Sequence, residues 1–303
     1  MMPPPTTTTK KTRTRTTTNS LDGGGKPSGL PALNSKAARL RAILAECQSV
    51  LVAFSGGVDS AYLAVLATEV LGARALAVTA ESPSYPDSHR QLAHSVARDF
   101  ALAHHVIQTA ELDRPEYRAN PANRCYYCKD ELYGRLAEVA QAKGFSVIVD
   151  GNNADDRGDY RPGRQAAREH GVRSPLDEAD LTKDEIRELS RLAGLKTWDE
   201  PASACLSSRI PYGTEVTDAA LRQIEAAEKV LHDLGFRVCR VRHHDTVARL
   251  EIARSEMARA LDPATNARLV SEIKALGYHF VSLDLQGYRL GSLNEALRLR
   301  PVS

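Results

Sequence analysis

"LVAFSGGVDS", Leu51 to Ser60, decides how this chain is read. An apolar run stops at Ser-Gly-Gly. The residues that follow, "VDSAYLAVLATEVLG", place Ala61, Leu63, Ala64, Ala67, Val70 and Leu71 near the ~3.6-residue period of a helix. A strand that turns through two glycines into a helix starting at Val58 or Asp59 gathers free backbone N–H groups and the positive dipole end at one point. Such a point binds anions. Adjacent Gly56 and Gly57 let the backbone approach a phosphate with no Cβ between, and Ser55 and Ser60 add hydroxyls. The stretch lacks the lysine of the G-x-x-x-x-G-K-[ST] loop, so it suits a pyrophosphate-like group and not γ-phosphate transfer. A plain strand-to-helix turn of a doubly wound protein would share the same spacing.

Outward from that turn, strand-like and helix-like stretches alternate. "RALAVTA" precedes "PDSHRQLAHSVARDFAL"; then come "HHVIQTA", a loop with "CYYC", the helical "DELYGRLAEVAQAKG" and the strand "FSVIVDG". This alternation predicts an α/β fold, an open, doubly wound parallel sheet with helices on both faces and ligands at the carboxyl ends of its strands. Ser55 to Ser60, Glu81 to Ser84 and Gly151 to Asp156 all follow strands and should share one rim. In "LTKDEIRELSRLAG", Thr182 and Glu185 form a capping box and Gly194 a helix stop. A Pro-, Ser- and Gly-rich linker, "LKTWDEPASACLSSRIPYG", leads to a smaller α+β unit. The expected division is a tail over 1–34, a nucleotide domain over 35–204 and a substrate-binding or oligomerisation domain over 205–303.

The 303 residues suffice for one to two domains with full cores. With 42% apolar and 26% charged residues and no apolar run near the ~18 that a span requires, a membrane protein is excluded. The formal charge of +2 is too small to argue for a nucleic-acid partner, although it does not forbid a local basic patch, and the one basic cluster, Lys10 to Arg15, makes such a partner a weak expectation. Residues 1–34, rich in Thr, Pro and Gly, have nothing to pack and read as disordered. They hold no apolar core of a secretory signal, so a cytoplasmic location is expected, with the five cysteines as thiols or metal ligands.

Cys125 and Cys128 in "NRCYYCKDELY" stand one helical turn apart, close enough to share a metal or form a redox pair. They make half a site, because a structural zinc wants four ligands and no second CxxC exists. Cys205, in a loop that can fold back over the rim, is the third candidate; three thiolates on one iron–sulfur cluster leave an iron open to sulfide or substrate. Arg124 and Lys129 beside the pair favour thiolate, against the bland reading of each cysteine as a small buried hydrophobe. That reading serves for Cys47 and Cys239, which have apolar neighbours. In the strand-like "RVCRVRHH", Arg240 and Arg242 share a face about 7 Å apart, a spacing suited to a phosphate or to a solvated charged face. Arg209 can join them; Glu251 is a candidate acidic or metal-binding residue, and Glu228 a lesser one.

"SGGVDS" after an apolar strand resembles the PP-loop of the ATP pyrophosphatases, adenine nucleotide alpha hydrolase-like proteins that cleave ATP to AMP and pyrophosphate. The resemblance implies that Ser55, Gly56, Gly57, Asp59 and Ser60 hold pyrophosphate and its Mg2+. "DGNNADDRGDYRPG", "VRSPLDEADLTKDEIRELSRLAGL" and "PASACLSSRIPYGTEVT" resemble the LarE family, from about Ser35 to the C-terminus. These enzymes transfer sulfur to pyridinium-3,5-biscarboxylic acid mononucleotide for the nickel-pincer cofactor of lactate racemase. The resemblance implies adenylation of the carboxylate and attack by sulfur. Cys205 matches the sulfur donor of sacrificial members. The CxxC pair matches a branch that holds a [4Fe-4S] cluster, here on Cys125, Cys128 and Cys205, with a sulfide on the open iron as nucleophile. Arg209, Arg240 and Arg242 match the substrate-phosphate positions, and a homo-oligomer, a hexamer, is implied. The sequence leaves the sulfide source open. A PP-loop tRNA thiolation enzyme and a non-catalytic ATP-binding sensor are the alternatives; the first should carry a basic RNA surface, and the second has no use for three cysteines at the rim.

Overall fold

The computed structural model describes residues 29–158, 162–201 and 204–298. Four strands, β1 (Val50–Ala53), β2 (Ala75–Glu81), β3 (His104–Gln108) and β4 (Val147–Val149), form a parallel sheet in the order β3-β2-β1-β4. Helices α1 (Leu30–Glu46), α2 (Val58–Leu71), α3 (Asp87–Asp99), α4 (Pro115–Arg118), α5 (Arg124–Lys143), α6 (Pro162–Glu169), α7 (Pro175–Glu178) and α8 (Lys183–Leu192) accompany it. The sheet is covered on both faces. Val50, Val52, Ala75, Ala77 and Val149 pack with α1, α2, α3, α7 and α8, whereas Leu51, Leu76, Val78 and Ile148 face α5 and α6. Alternation along each strand thus serves two cores, which is why these strands read as continuous apolar runs.

The strand order reverses at β1, which pairs with β2 on one side and β4 on the other. The Ser-Gly-Gly turn therefore stands at the switch point, where open sheets of this kind bind ligands. Beyond it, α9 (Asp218–Asp233), β5 (Cys239–His244), β6 (Val247–Ile252), α10 (Met257–Ala260), α11 (Pro263–Ala275), β7 (Phe280–Leu283) and α12 (Ser292–Arg298) build a second sheet, in the order β5-β6-β7, with its own core. A small apolar cluster of Tyr117, Leu206, Ile210, Val216, Ala220, Leu221 and Ile224 joins α4 to the segment over 206–216 and to α9.

Two expectations need correction. Residues 30–34, read as part of the tail, are the first turn of α1: Pro31 stands where a helix start tolerates it, and Leu33 is buried. The rest of that stretch, 1–28, lies outside the described residues. The "CYYC" segment is not a loop before a helix but the opening of α5, which begins at Arg124. Among the described residues no helix is long and apolar enough to cross a membrane.

Candidate active site

Ser60 organises the turn after β1. Its hydroxyl accepts from the Ser55 backbone N–H (3.2 Å), meets the Ser55 hydroxyl (3.1 Å) and donates to the Gly57 carbonyl (3.1 Å). Gly56 adopts φ +71°, and a Cβ there would stand 2.8 Å from the Ala93 backbone nitrogen, so the turn is pressed against α3. Gly57 ends the turn as an N-cap that offers no side chain, so none competes for the first N–H groups of α2. The other predicted rim segments arrive as expected. Tyr85 donates to the Ser55 carbonyl (3.0 Å), and a Cβ on Gly151 would lie 3.0 Å from the Ser60 nitrogen.

Asp59 occupies the first turn of α2. Burial raises its pKa above the ordinary carboxylate value, and Lys183, whose ammonium lies 2.5 Å from Oδ2, offsets that only in part. Its Oδ1 is buried without a hydrogen-bond partner. A divalent cation arriving with a nucleotide would satisfy that oxygen, so the residues present fit Mg2+.

The cysteine segment comes to the same rim. The Leu206 N–H donates to the Ser84 carbonyl (2.9 Å) in the turn after β2, and buried Arg124 donates to the Ser207 carbonyl (2.9 Å) and to Asn120 Oδ1. Cys205 Sγ lies 3.0 Å from the Ser207 hydroxyl, which accepts from Tyr117 (3.0 Å). Burial, followed by the charge of Cys205, pushes up the Cys125 thiol; Cys128 is pushed up by burial, then by Glu111, then by Cys205. The three sulfurs thus share one neighbourhood, Cys125 being exposed as a residue and the others half-buried. Among the described residues no three His, Cys, Asp or Glu are gathered for a metal ion, these cysteines included. The donor type suits an iron–sulfur cluster, but the spacing does not gather it. Arg124 and Lys129 do favour the Cys125 thiolate, as their charge implied, but burial and Cys205 outweigh them; Arg124 also fastens Ser207 to α5. Cys47 and Cys239 are buried, as apolar neighbours implied.

Arg209 is buried, with Nε and one terminal nitrogen on the two Glu228 oxygens (2.9 Å each) and the other on the carbonyls of Ala204 (2.7 Å) and Cys205 (2.9 Å). It bolts the cysteine loop to α9, so a phosphate expected on it would have to compete with those bonds. Arg240 and Arg242 sit side by side on β5, as the strand period predicts. Arg240 stacks on Tyr288 (5.3 Å) and donates to the Cys239 carbonyl (2.7 Å). Arg242 binds the Ser208 carbonyl (2.8 Å) and Glu251 (2.8 Å), and its Nε is buried without a partner. Glu251, expected as a metal ligand, is fully buried between Arg242 and Arg249 (3.5 Å), with Ser292 on both oxygens. Arg209 and Arg240 lie close enough to α3 for their charge, after burial, to push His89 down to about 4.

Sequence reading missed Glu111. It is buried, its charge acts on the Cys128 thiol, and it accepts from Ser82 and Ser84 at 2.5 Å each. The two serines were legible as rim residues; nothing local marks Glu111. It missed Lys183 as well, which lies 124 positions from the carboxylate it meets.

A parallel sheet with an uncapped Ser-Gly-Gly turn at its switch point defines an α/β protein of the ATP-using PP-loop class, and residues 40–156 match the asparagine synthase family. Over 88% of its length the chain is 38% identical to the pyridinium-3,5-bisthiocarboxylic acid mononucleotide synthase of Lactiplantibacillus plantarum, of which it covers 97%. It belongs to that enzyme's family, the LarE family. An uncharacterized protein of Synechocystis is 44% identical over 88% of the chain and 99% of its own length. A tRNA-specific 2-thiouridylase of Syntrophus aciditrophicus is 31% identical over only 51% of the chain and 50% of its own length.

Proposed function

We propose that this chain uses ATP to transfer sulfur to the carboxylates of pyridinium-3,5-biscarboxylic acid mononucleotide, giving the thiocarboxylates of the nickel-pincer cofactor of lactate racemase. The observation that carries this reading is the anchoring of Cys205 on the nucleotide rim, through the Leu206 N–H on the Ser84 carbonyl, within a chain matching the synthase along nearly its whole length. A carboxylate is a poor electrophile until AMP is attached. Its oxygen attacks the α-phosphorus and pyrophosphate leaves; a sulfur nucleophile then adds to the acyl carbon and AMP leaves. The backbone of Ser55 to Gly57 and the N–H groups of α2 receive the pyrophosphate, and Asp59 would hold a Mg2+ arriving with the nucleotide, whose charge would stabilise the departing group. Arg240 and Arg242 take the phosphate of the mononucleotide, with the unfilled Nε of Arg242 as one donor.

Cys125, Cys128 and Cys205 are our candidates for holding an iron–sulfur cluster, supported by donor type alone; no step is derived through it. ATP and free thiols suit the cytoplasm. For the homo-oligomer, edge strand β7 with exposed Phe280, beside exposed Leu285, is the surface we assign. The test is anaerobic incubation with ATP and the mononucleotide, following AMP, pyrophosphate and thiocarboxylate by mass spectrometry, with iron analysis of wild type and Cys125→Ala. AMP formation without thiocarboxylate would refute sulfur transfer. Iron in wild type that is lost in the variant supports the cluster; an iron-free, active protein that loses the mass of one hydrogen sulfide makes Cys205 the donor.

A further inference from the structure

The nucleotide turn carries no lysine of its own, and the fold supplies one from α8. Lys183 is the first residue of that helix, whose start is fixed by the reciprocal bonds of Thr182 and Glu185. Its own N–H donates to Asp155 Oδ2 (2.8 Å), so the backbone from which the side chain springs is fixed at the rim. The ammonium meets Asp59 Oδ2 at 2.5 Å, while Oδ1 of the same carboxylate is buried and unpartnered. Asp59 is thus only half served by its counter-ion.

We propose that Lys183 is an exchangeable cation of the nucleotide site: it neutralises Asp59 in the empty turn and moves to the phosphate oxygens of pyrophosphate when that group binds. A carboxylate inside an anion-binding turn repels the ligand unless a cation stands by it, and burial magnifies that repulsion. Lysine suits the exchange because its ammonium is a point charge on a flexible four-carbon stem, with no forked geometry to satisfy. The side chain keeps 29% of its surface exposed and so has room to turn. No bond is made or broken; one ion pair replaces another. The inference rests on the reading that this turn holds pyrophosphate.

The test is calorimetric binding of inorganic pyrophosphate and of AMP, in Mg2+-free buffer, to wild type, Asp59→Asn, Lys183→Met and the double variant. Wild type binds pyrophosphate weakly because Asp59 competes for the lysine. Asp59→Asn should bind it about tenfold or more tightly, the value of a charge-assisted hydrogen bond. The double variant should lose most of that gain, and AMP affinity should change less than about twofold across the set. If Asp59→Asn and the double variant gain equally, the improvement is relief of repulsion alone and the exchange is overturned. If wild type binds neither pyrophosphate with Mg2+ nor ATP, the nucleotide reading itself fails. Circular dichroism checks folding of each variant, and the double variant leaves no unpaired charge to unfold it.

Discussion

Arg209→Met separates a fastener from a ligand. The guanidinium and Glu228 form a buried bidentate pair, and two further donor bonds end on the carbonyls of Ala204 and Cys205. Methionine fills the volume but strips the buried Glu228 carboxylate of its bidentate partner, leaving it the Val241 N–H (3.0 Å) and the charge of nearby Arg240. Breaking one side of such a pair costs about 3–5 kcal/mol, or about 6–20 °C in Tm at ~2–4 °C per kcal/mol. Adding Glu228→Gln removes the stranded charge and keeps an acceptor for Val241, so the double variant should recover to within about 1–2 kcal/mol of wild type. Burial would raise the Glu228 pKa, but Arg209 outweighs it and holds the carboxyl below its ordinary value. The stability from the pair is therefore present above the unfolded value of about 4.3 and lost as pH falls through the lower folded value. Thermal unfolding followed by circular dichroism, over pH 7 down to 3, measures all of this. A single variant within about 1 kcal/mol of wild type, or a double variant no more stable than the single, refutes the fastener. A variant with unchanged Tm but weakened mononucleotide binding would return Arg209 to the phosphate.

Gly56→Ala should abolish ATP binding in a filter assay and lower Tm, because φ +71° disfavours a Cβ and the Ala93 nitrogen stands 2.8 Å from where it would sit. Unimpaired binding would mean that the turn has slack that this packing denies. Thr182→Ala breaks the capping box of α8 and should cost about 1 kcal/mol in urea unfolding; a change under about 0.3 kcal/mol would refute the cap's contribution.

The framework was legible because it is local. "VLVAF", "RALAVTA" and "FSVIVDG" are apolar runs bounded by turn residues, and each became a strand with its ends shifted by a few residues at most. The Ser-Gly-Gly turn was legible because glycine, serine and a following helix leave few other conformations. The helix α1 was missed at its start because a Pro-Gly-Ser-rich neighbourhood masks Leu30 and Leu33, and the core that buries Leu33 draws on distant α7 and α8. The roles of arginines were less legible than their positions: Arg209 and Arg242 look alike in sequence, and only the fold brings Glu228 onto one edge of the first guanidinium and leaves Nε of the second unfilled. Glu111 and Lys183 follow the same rule. Their partners are remote in sequence, so no spacing could mark them.

The cysteine loop shows why so many buried charges gather here. Apart from one 3-10 turn over Leu206–Arg209 the segment has no helix or strand ladder to hold it, and ordering the five residues from Ala204 to Ser208 costs about 5–10 kcal/mol of backbone entropy. Arg209 holds the carbonyls of Ala204 and Cys205, Arg124 that of Ser207 and Arg242 that of Ser208. Four charge-assisted bonds at about 1.5–3 kcal/mol each come to about 6–12 kcal/mol, which matches that cost. Side chains from α5, β5 and the 3-10 turn itself thus supply the fixing that a longer helix or a strand ladder would give. On the proposed function a sulfur must be held within a fraction of an ångström of its path to the acyl carbon, and a loop fixed from several elements at once meets that need while leaving Cys205 itself partly uncovered. The arginines that make the loop rigid cannot be replaced by lysines without losing it, since a single ammonium cannot span two carbonyls and a carboxylate as Arg209 does.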